Sequence, residues 1–366
     1  MDLRVAARAG LVTALVVIAL AAIAPTSAPA TAAGPGAAFF GMQGWTVPTA
    51  RDLALIKRGG VGTYRAVFSG AQLGASFDRA RWTRYDALMA AAARERIEIM
   101  PLLIDIPGAR VRLQHPRTRA DRIAWAGFVS AVARRYGRGG SFWADHPQLE
   151  PVPLTAYQVW NEPNLPVYWR PAPDAAGYLR LVRLTRHRLR AVDPRAAIVL
   201  AGLPNSRLGV PALDYLRAVY ARPDARSLFD VVALHPYAQH ASGVVDSVTT
   251  TRAYMDRRGD RRTPIWITEI GWGTGGPRTT LRTTKAGQAA KIDRTLRSLL
   301  AARSRLRLGR VVISVLQDRD FVEGERPWWA PRAGLFDTLG RQKPAWRALV
   351  RFTGGQPEGR LRSVAG

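Results

Sequence analysis

The sequence has no cysteine in 366 residues. That excludes disulfides, thiolate metal sites and a thiol nucleophile. Histidine is scarce: the five stand at 115, 146, 187, 235 and 240, without H-E-x-x-H or a comparable ligand spacing. No metal and no cofactor is expected. Acidic residues are few, 27 against 54 basic ones, and lysine is nearly absent, at 57, 285, 291 and 343 only. The other 50 basic residues are arginine, a whole-chain bias that codon usage produces, so the net charge of +27 does not by itself name a polyanionic partner. No G-x-G-x-x-G follows the first strand pattern and no Walker motif occurs, which removes the dinucleotide and P-loop readings. No basic patch interleaved with aromatics is present, and no specific nucleic acid partner is expected. No segment after residue 23 is long and apolar enough to span a bilayer. What remains is 47% hydrophobic and 22% charged, the composition of a globular chain with a large core, expected to be a monomer.

The first residues have a targeting pattern. Arg4 and Arg8 precede an apolar run of 13 residues, Leu11 to Ile23, followed by Pro25 and Ala30-Thr31-Ala32. Residues 1–32 read as a signal peptide and 33–37 as a short linker, which makes the protein secreted or cell-envelope associated. A retained anchor is the alternative, but the run falls short of the roughly 18–20 residues a spanning helix needs.

The rest alternates between two periodicities. Short, continuously apolar runs, as buried parallel strands require, occur at Ala38–Met42, Thr63–Phe68, Ile97–Ile104, Tyr157–Trp160, Ala197–Ala201, Asp230–Leu234, Ile265–Thr268 and Arg310–Leu316. Helical spacing lies between them: Trp82–Ala93, Ile123–Tyr136, Tyr178 to Val192 stopped by Asp193-Pro194, Leu213–Tyr220, Val244 to Met255, Ala286–Ala301 and Pro344–Phe352. Eight strands alternating with helices predict an α/β fold, a (β/α)₈ TIM barrel forming one catalytic domain over 38–352. Arg134–Thr155 reads as a barrel loop, and 353–366 as a flexible tail.

In such a barrel, chemistry sits at the C-terminal ends of the strands. Arg65 is placed in or near the end of the second strand. Asn161-Glu162-Pro163-Asn164 ends the fourth, His235-Pro236-Tyr237 follows the sixth, Thr268-Glu269 ends the seventh and Gln317-Asp318 follows the eighth. Glu162 follows Val159-Trp160, and Glu269 follows Ile265-Trp266-Ile267. A carboxylate in apolar surroundings needs partners or a raised pKa. Either glutamate alone could be half of an ion pair with one of the many arginines. Two of them across a barrel mouth are what glycoside hydrolysis requires: one donates a proton to the leaving oxygen, the other attacks the anomeric carbon or activates water.

Val159-Trp160-Asn161-Glu162-Pro163-Asn164 and Trp266-Ile267-Thr268-Glu269-Ile270-Gly271-Trp272 resemble the two signatures of clan A retaining glycoside hydrolases, families 39 and 5 among them. The resemblance runs from about Phe39 to Phe352. It implies the (β/α)₈ barrel, Glu162 as acid/base and Glu269 as nucleophile. Leu234-His235-Pro236-Tyr237 resembles the clan's strand-six His-x-Tyr, and Arg65 its strand-two arginine. The expected activity is hydrolysis of β-linked glycosidic bonds in an oligo- or polysaccharide by double displacement. The chain departs from the pattern twice. Asp105-Ile106 stand where many clan members have a histidine after strand three, and Ile313-Ser314-Val315-Leu316-Gln317-Asp318 where many have a tryptophan ending strand eight. Both positions normally contact the sugar.

Each role also has a chemical reading. Asn161 can donate to a sugar 2-hydroxyl. Tyr237 can hold Glu269 ionised, His235 can orient that network, and Arg65 can balance the charge. Asp105 and Asp318 are read as structural. Trp45, Trp169, Trp272, Trp328 and Trp329 lie in loops where aromatic faces could stack on sugar rings, Trp272 being the nearest to a signature. The competing reading is a non-catalytic carbohydrate-binding barrel. Between Leu281 and Arg310 stand nine basic residues and one acid, Asp293. Beyond codon bias, that segment suggests weak adhesion to anionic cell-envelope polymers.

Overall fold

The computed structural model describes residues 36–74, 77, 79–107 and 113–364. The expected signal peptide lies outside the described residues. No helix among the described residues is long and apolar enough to cross a membrane.

Every expected strand is present: β1 (Phe40–Gln43), β2 (Thr63–Ser69), β3 (Glu98–Ile104), β4 (Ala156–Val159), β5 (Ala197–Val199, resumed at Leu203–Pro204), β6 (Val232–His235), β7 (Ile265–Ile270) and β8 (Leu308–Ser314). All pair in parallel, in the order β5-β4-β3-β2-β1-β8-β7-β6 and back to the second piece of β5. The seam closes where Val199 bridges Val231 and the Leu200 amide donates to the Val231 carbonyl at 3.0 Å. The curled sheet is therefore a barrel, and a small apolar cluster of Val199, Val231 and Ala233 sits at its seam.

Eight longer helices alternate with the strands: α1 (Ala50–Arg58), α2 (Arg79–Arg94), α3 (Arg119–Tyr136), α4 (Ala175–Val192), α5 (Ala212–Tyr220), α6 (Ala241–Arg257), α7 (Lys285–Ala301) and α8 (Pro344–Thr353). Their ends have local causes. Thr49 and Asp52 form a reciprocal capping box at the start of α1, and Thr118 and Asp121 do the same for α3. α4 stops at Asp193, before Pro194. Gly354, at φ 70°, takes the left-handed turn that ends α8. The sequence reading named no helix at Ala50–Arg58. Buried residues such as Phe40, Tyr64, Trp125, Leu216, Ile292 and Trp346 join strands and helices into one core.

Two expectations about boundaries are corrected. The tail after residue 353 is docked, not free. Gln356 donates to Arg58 O at 2.8 Å, Trp346 Nε1 to Pro357 O at 2.8 Å, and Leu361 is buried. Residues 134–136 belong to α3, so the loop before β4 starts later than expected; it buries Phe142 and Trp143 on the barrel.

Candidate active site

Arg65 is not at a strand end. It is the third residue of β2, level with Gln43 of β1 and Met100 of β3, inside the barrel. A buried guanidinium must be satisfied on every side. Its Nε donates to Gln158 Oε1 at 2.6 Å, Nη2 to Asn161 Oδ1 at 2.8 Å, and Nη1 both to Gln43 Oε1 and to Glu269 Oε1, the last at 2.5 Å. Gln43 in turn donates to Ser314 Oγ at 2.7 Å. Gln158 reaches Thr268 Oγ1 at 3.0 Å and Leu200 O at 3.1 Å. A polar layer thus crosses the barrel below the two glutamates.

His235, with no exposed surface, ties the acidic pair together. Its Nδ1 lies 2.7 Å from Glu162 Oε1, and its Nε2 lies 3.0 Å from Thr268 Oγ1 and 3.7 Å from Glu269 Oε1. The two ring nitrogens thus face Glu162 on one side and Thr268 with the Glu269 carboxylate on the other. Tyr237 donates to Glu269 Oε2 at 2.8 Å. Ligand atoms of Glu162, His235 and Glu269 lie within 4.8 Å of one another, close enough to hold a cation. Arg65 already places a positive charge on that same Glu269 oxygen.

The two carboxyls are nearly buried, with side chains 12% and 14% exposed, and their protonation is pushed in opposite directions. Burial raises the Glu162 pKa, and the charge of Glu269 adds to it, outweighing the His235 contact and Arg65. Burial acts the same way on Glu269. There it is overcome by the charges of His235 and Arg65 and by the hydrogen bonds from Tyr237 and Arg65, and the pKa falls. The surroundings thus bias the two groups in opposite directions, Glu162 toward holding its proton and Glu269 toward the carboxylate.

The backbone is strained at the same place. Trp160 and Glu162 sit at φ 69° and 41°, in the left-handed region that side chains other than glycine avoid. Tertiary bonds hold this turn. Trp160 Nε1 donates to Tyr168 O at 2.8 Å, the Leu165 amide to Glu162 O at 2.9 Å, and Asn164 Nδ2 to Pro204 O at 2.9 Å. Arg65 takes the oxygen of Asn161, so the amide nitrogen is left to donate, with Tyr168 beside it.

Six of the seven expected site residues meet here: Arg65, Asn161, Glu162, His235, Tyr237 and Glu269. Trp272 does not. It is 1% exposed, donates from Nε1 to Ala238 O at 2.7 Å, and belongs to the core. Trp169 is also buried, stacked on His115 with ring centroids 3.9 Å apart. Asp105 accepts from Ser69 and Leu113, and Asp318 from Gly334 and Lys343, both structural as expected. Sequence reasoning missed Gln43, Gln158, Ser314 and Tyr168. The signal was present for Gln158, a polar residue inside an apolar strand.

No protein-family model and no curated protein matches the sequence. Solved structures do match in fold. A family 39 glycoside hydrolase from Bacteroides cellulosilyticus WH2 aligns with TM-score 0.58 at 18% identity, covering 86% of this chain and 63% of its own. A family 39 β-xylosidase from Caulobacter crescentus gives TM-score 0.64 at 21% identity, over 88% and 72%. A family 5 enzyme from Bifidobacterium longum, solved with Manβ1-4GlcNAc, gives 0.61 at 13%, over 86% and 74%. This chain spans under two thirds of the length of the Bacteroides enzyme. Its fold is the (β/α)₈ barrel of these glycoside hydrolases.

Proposed function

We propose that the protein is a retaining glycosidase acting on β-linked sugars, with Glu162 as acid/base and Glu269 as nucleophile. The observation that carries this reading is two carboxyls at the ends of different strands, held in one polar network by Arg65, His235 and Tyr237, which biases their proton affinities in opposite directions. Their approach supports the retaining course. An oxygen of each lies within 4.8 Å of the other, nearer the roughly 5–5.5 Å of retaining pairs than the roughly 6.5–9.5 Å of inverting ones.

The chemistry then runs in two steps. The Glu269 carboxylate attacks the anomeric carbon while the Glu162 proton passes to the leaving oxygen, and the glycosidic bond breaks. A sugar ester of Glu269 remains. Ionised Glu162 next takes a proton from water, whose oxygen attacks the same carbon and releases Glu269. Tyr237 and Arg65 keep the nucleophile charged and aimed, and Asn161 has an amide nitrogen available for the sugar 2-hydroxyl. The likeness to family 39 and family 5 structures supports the reaction class.

The test separates the two roles. Glu162→Gln should lose on the order of 10²–10⁴ in rate on poor leaving groups and less on activated aryl glycosides. Glu269→Ala should lose turnover on every substrate, and azide should restore some of it with inverted product. Equal leaving-group dependence in both variants would overturn the assignment. Work outside the cytoplasm is a proposal that rests on the pattern of residues 1–32.

A further inference from the structure

Four aromatic rings run outward from the nucleophile. Tyr237, bonded to Glu269, lies 5.0 Å from Trp329. Trp329 lies 6.2 Å from Trp328, and Trp328 lies 5.9 Å from Trp45, all centroid distances in edge-to-face contacts. Exposure rises along the row. Tyr237 and Trp329 are half-buried, whereas Trp328 and Trp45 are 39% and 37% exposed, and they are the two tryptophans that reach the surface most among the described residues. Leaving more than a third of each indole in water forfeits burial energy.

The row is also built. Trp328 and Trp329 belong to the loop after β8, which is clamped at three levels. At its base, Asp318 accepts from the Gly334 amide at 2.8 Å and from the buried Lys343 ammonium at 2.7 Å. Along its length, Arg319 makes a two-pronged pair with Glu325, at 2.7 and 2.6 Å, and Arg332 pairs with Asp320 at 2.7 Å. At the tip, Glu325 also accepts from Trp328 Nε1 at 2.7 Å, and Arg319 lies over Trp45 at 4.6 Å. The clamp fixes both exposed rings, so little side-chain entropy is lost when something covers them. It also pairs the charges of Arg319, Asp320, Glu325 and Arg332, while Glu323 and Arg326 stay exposed in the same loop.

We infer that this loop is a preformed aromatic wall that binds at least one further ring of a neutral β-linked glycan, beyond the sugar at Glu269, so that the enzyme reads chain length. The inference rests on the glycosidase reading. A single sugar at Glu269 can meet Trp329 through the Tyr237 side. Covering Trp328 and Trp45 takes a second ring, because Trp45 touches the row only through Trp328. Sugar rings present C–H faces to aromatics, and from Arg319 to Arg332 three acids balance three arginines, so the loop has no net positive charge to draw a sugar carboxylate or sulfate.

The experiment uses aryl β-monoglycosides and neutral cello-, xylo- and manno-oligosaccharides of increasing length. Wild type should show kcat/KM rising with length in the series it accepts. Trp45→Ala and Trp328→Ala should cut that gain on the order of tenfold, mostly through KM, and leave the aryl monoglycoside rate within about twofold. Glu325→Ala, which keeps both rings but removes the acceptor of Trp328 Nε1 and the partner of Arg319, should lose part of the gain. Both tryptophans lie at the surface outside the core, and unchanged melting checks that truncation spares the fold. No length dependence in wild type, or equal losses on long and short substrates, overturns the proposal. If nothing is hydrolysed, the glycosidase reading has failed. Fluorescence titration with the same oligosaccharides then decides the wall separately: binding weakened by Trp45→Ala supports it, and binding unchanged overturns it.

Discussion

Arg65 and Glu269 meet at 2.5 Å although they come from β2 and β7, with β1 and β8 between them. Their side chains are only 4% and 14% exposed, so the pair is shielded from solvent and from salt. Removing one member leaves an uncompensated buried charge, which costs about 3–5 kcal/mol. Arg65→Met should therefore lower stability by that order in urea unfolding. It should also move the acid limb of kcat/KM to higher pH, because Glu269 loses a partner that holds its proton affinity down. A loss under about 1 kcal/mol, well below that range, with an unmoved limb, would remove Arg65 from the account of Glu269.

The opposite biases of the two glutamates set the pH profile. On the proposed mechanism, activity needs Glu269 ionised and Glu162 protonated. The acid limb should lie below the usual carboxylate range and the alkaline limb above it. Stability follows the same shifts. Folding raises the Glu162 pKa, so its contribution is full below the unfolded value and lost as pH rises through the folded one. Folding lowers the Glu269 pKa, so its contribution is present above the unfolded value and lost as pH falls through the folded one. Glu162→Gln should thus melt at a higher temperature than wild type in neutral buffer and lose that advantage in acid. The reverse order of melting would show that Glu162 is held ionised.

Much of this was legible because barrel strands write themselves as apolar runs. The runs ending in Asn161-Glu162 and Thr268-Glu269 fixed both the strands and the carboxyls. Arg65 was found but misplaced, because a charged residue inside an apolar run looks like the run's end. Its burial becomes readable only once Gln43, Gln158 and Asn161 are seen to surround it, and those partners come from two other parts of the sequence. The tail failed for a similar reason. Its polar composition suggests freedom, while its anchors are backbone groups that any sequence supplies, such as Gly340 O for the Leu361 amide. Trp272 followed a signature and was read as a sugar contact. Position along a motif does not reveal which way a ring turns.

That turn gives a prediction of its own. Trp272 packs in the core and donates to Ala238 O, while Gln288 donates to its carbonyl at 2.9 Å. Trp272→Ala should cost about 3–5 kcal/mol of stability, as large-to-small core changes do. KM of the folded fraction should change little. A large KM increase with unchanged melting would return the ring to the substrate.

The basic stretch from Leu281 to Arg310 is partly committed to the fold. Arg297 pairs with Asp293 at 3.2 Å, Arg310 pairs with Glu98 at 2.6 Å, and Arg303 lies 4.8 Å from the Phe39 ring. Arg294, Arg297 and Arg305 are exposed on α7 and just after it. A second basic surface was not singled out in the sequence: Arg117, Arg122, Arg170 and Arg180 line a cavity of about 330 Å³ with His115 and Trp169. Only Arg180 among those four arginines has a carboxylate partner among the described residues, Asp174 at 3.5 Å. Adhesion to anionic envelope polymers remains a proposal, and the two surfaces can be told apart. Exposed charges act over about 10 Å at 0.1 M salt, so retention on an anionic polysaccharide column should fall steeply as salt rises. Arg294, Arg297, Arg303 and Arg305 changed together to Gln should elute at lower salt than wild type. If that variant is unmoved while Arg117, Arg122 and Arg170 changed to Gln elutes early, the adhesive surface is the cavity beside the Glu162 loop. If neither variant moves, the charge is composition alone.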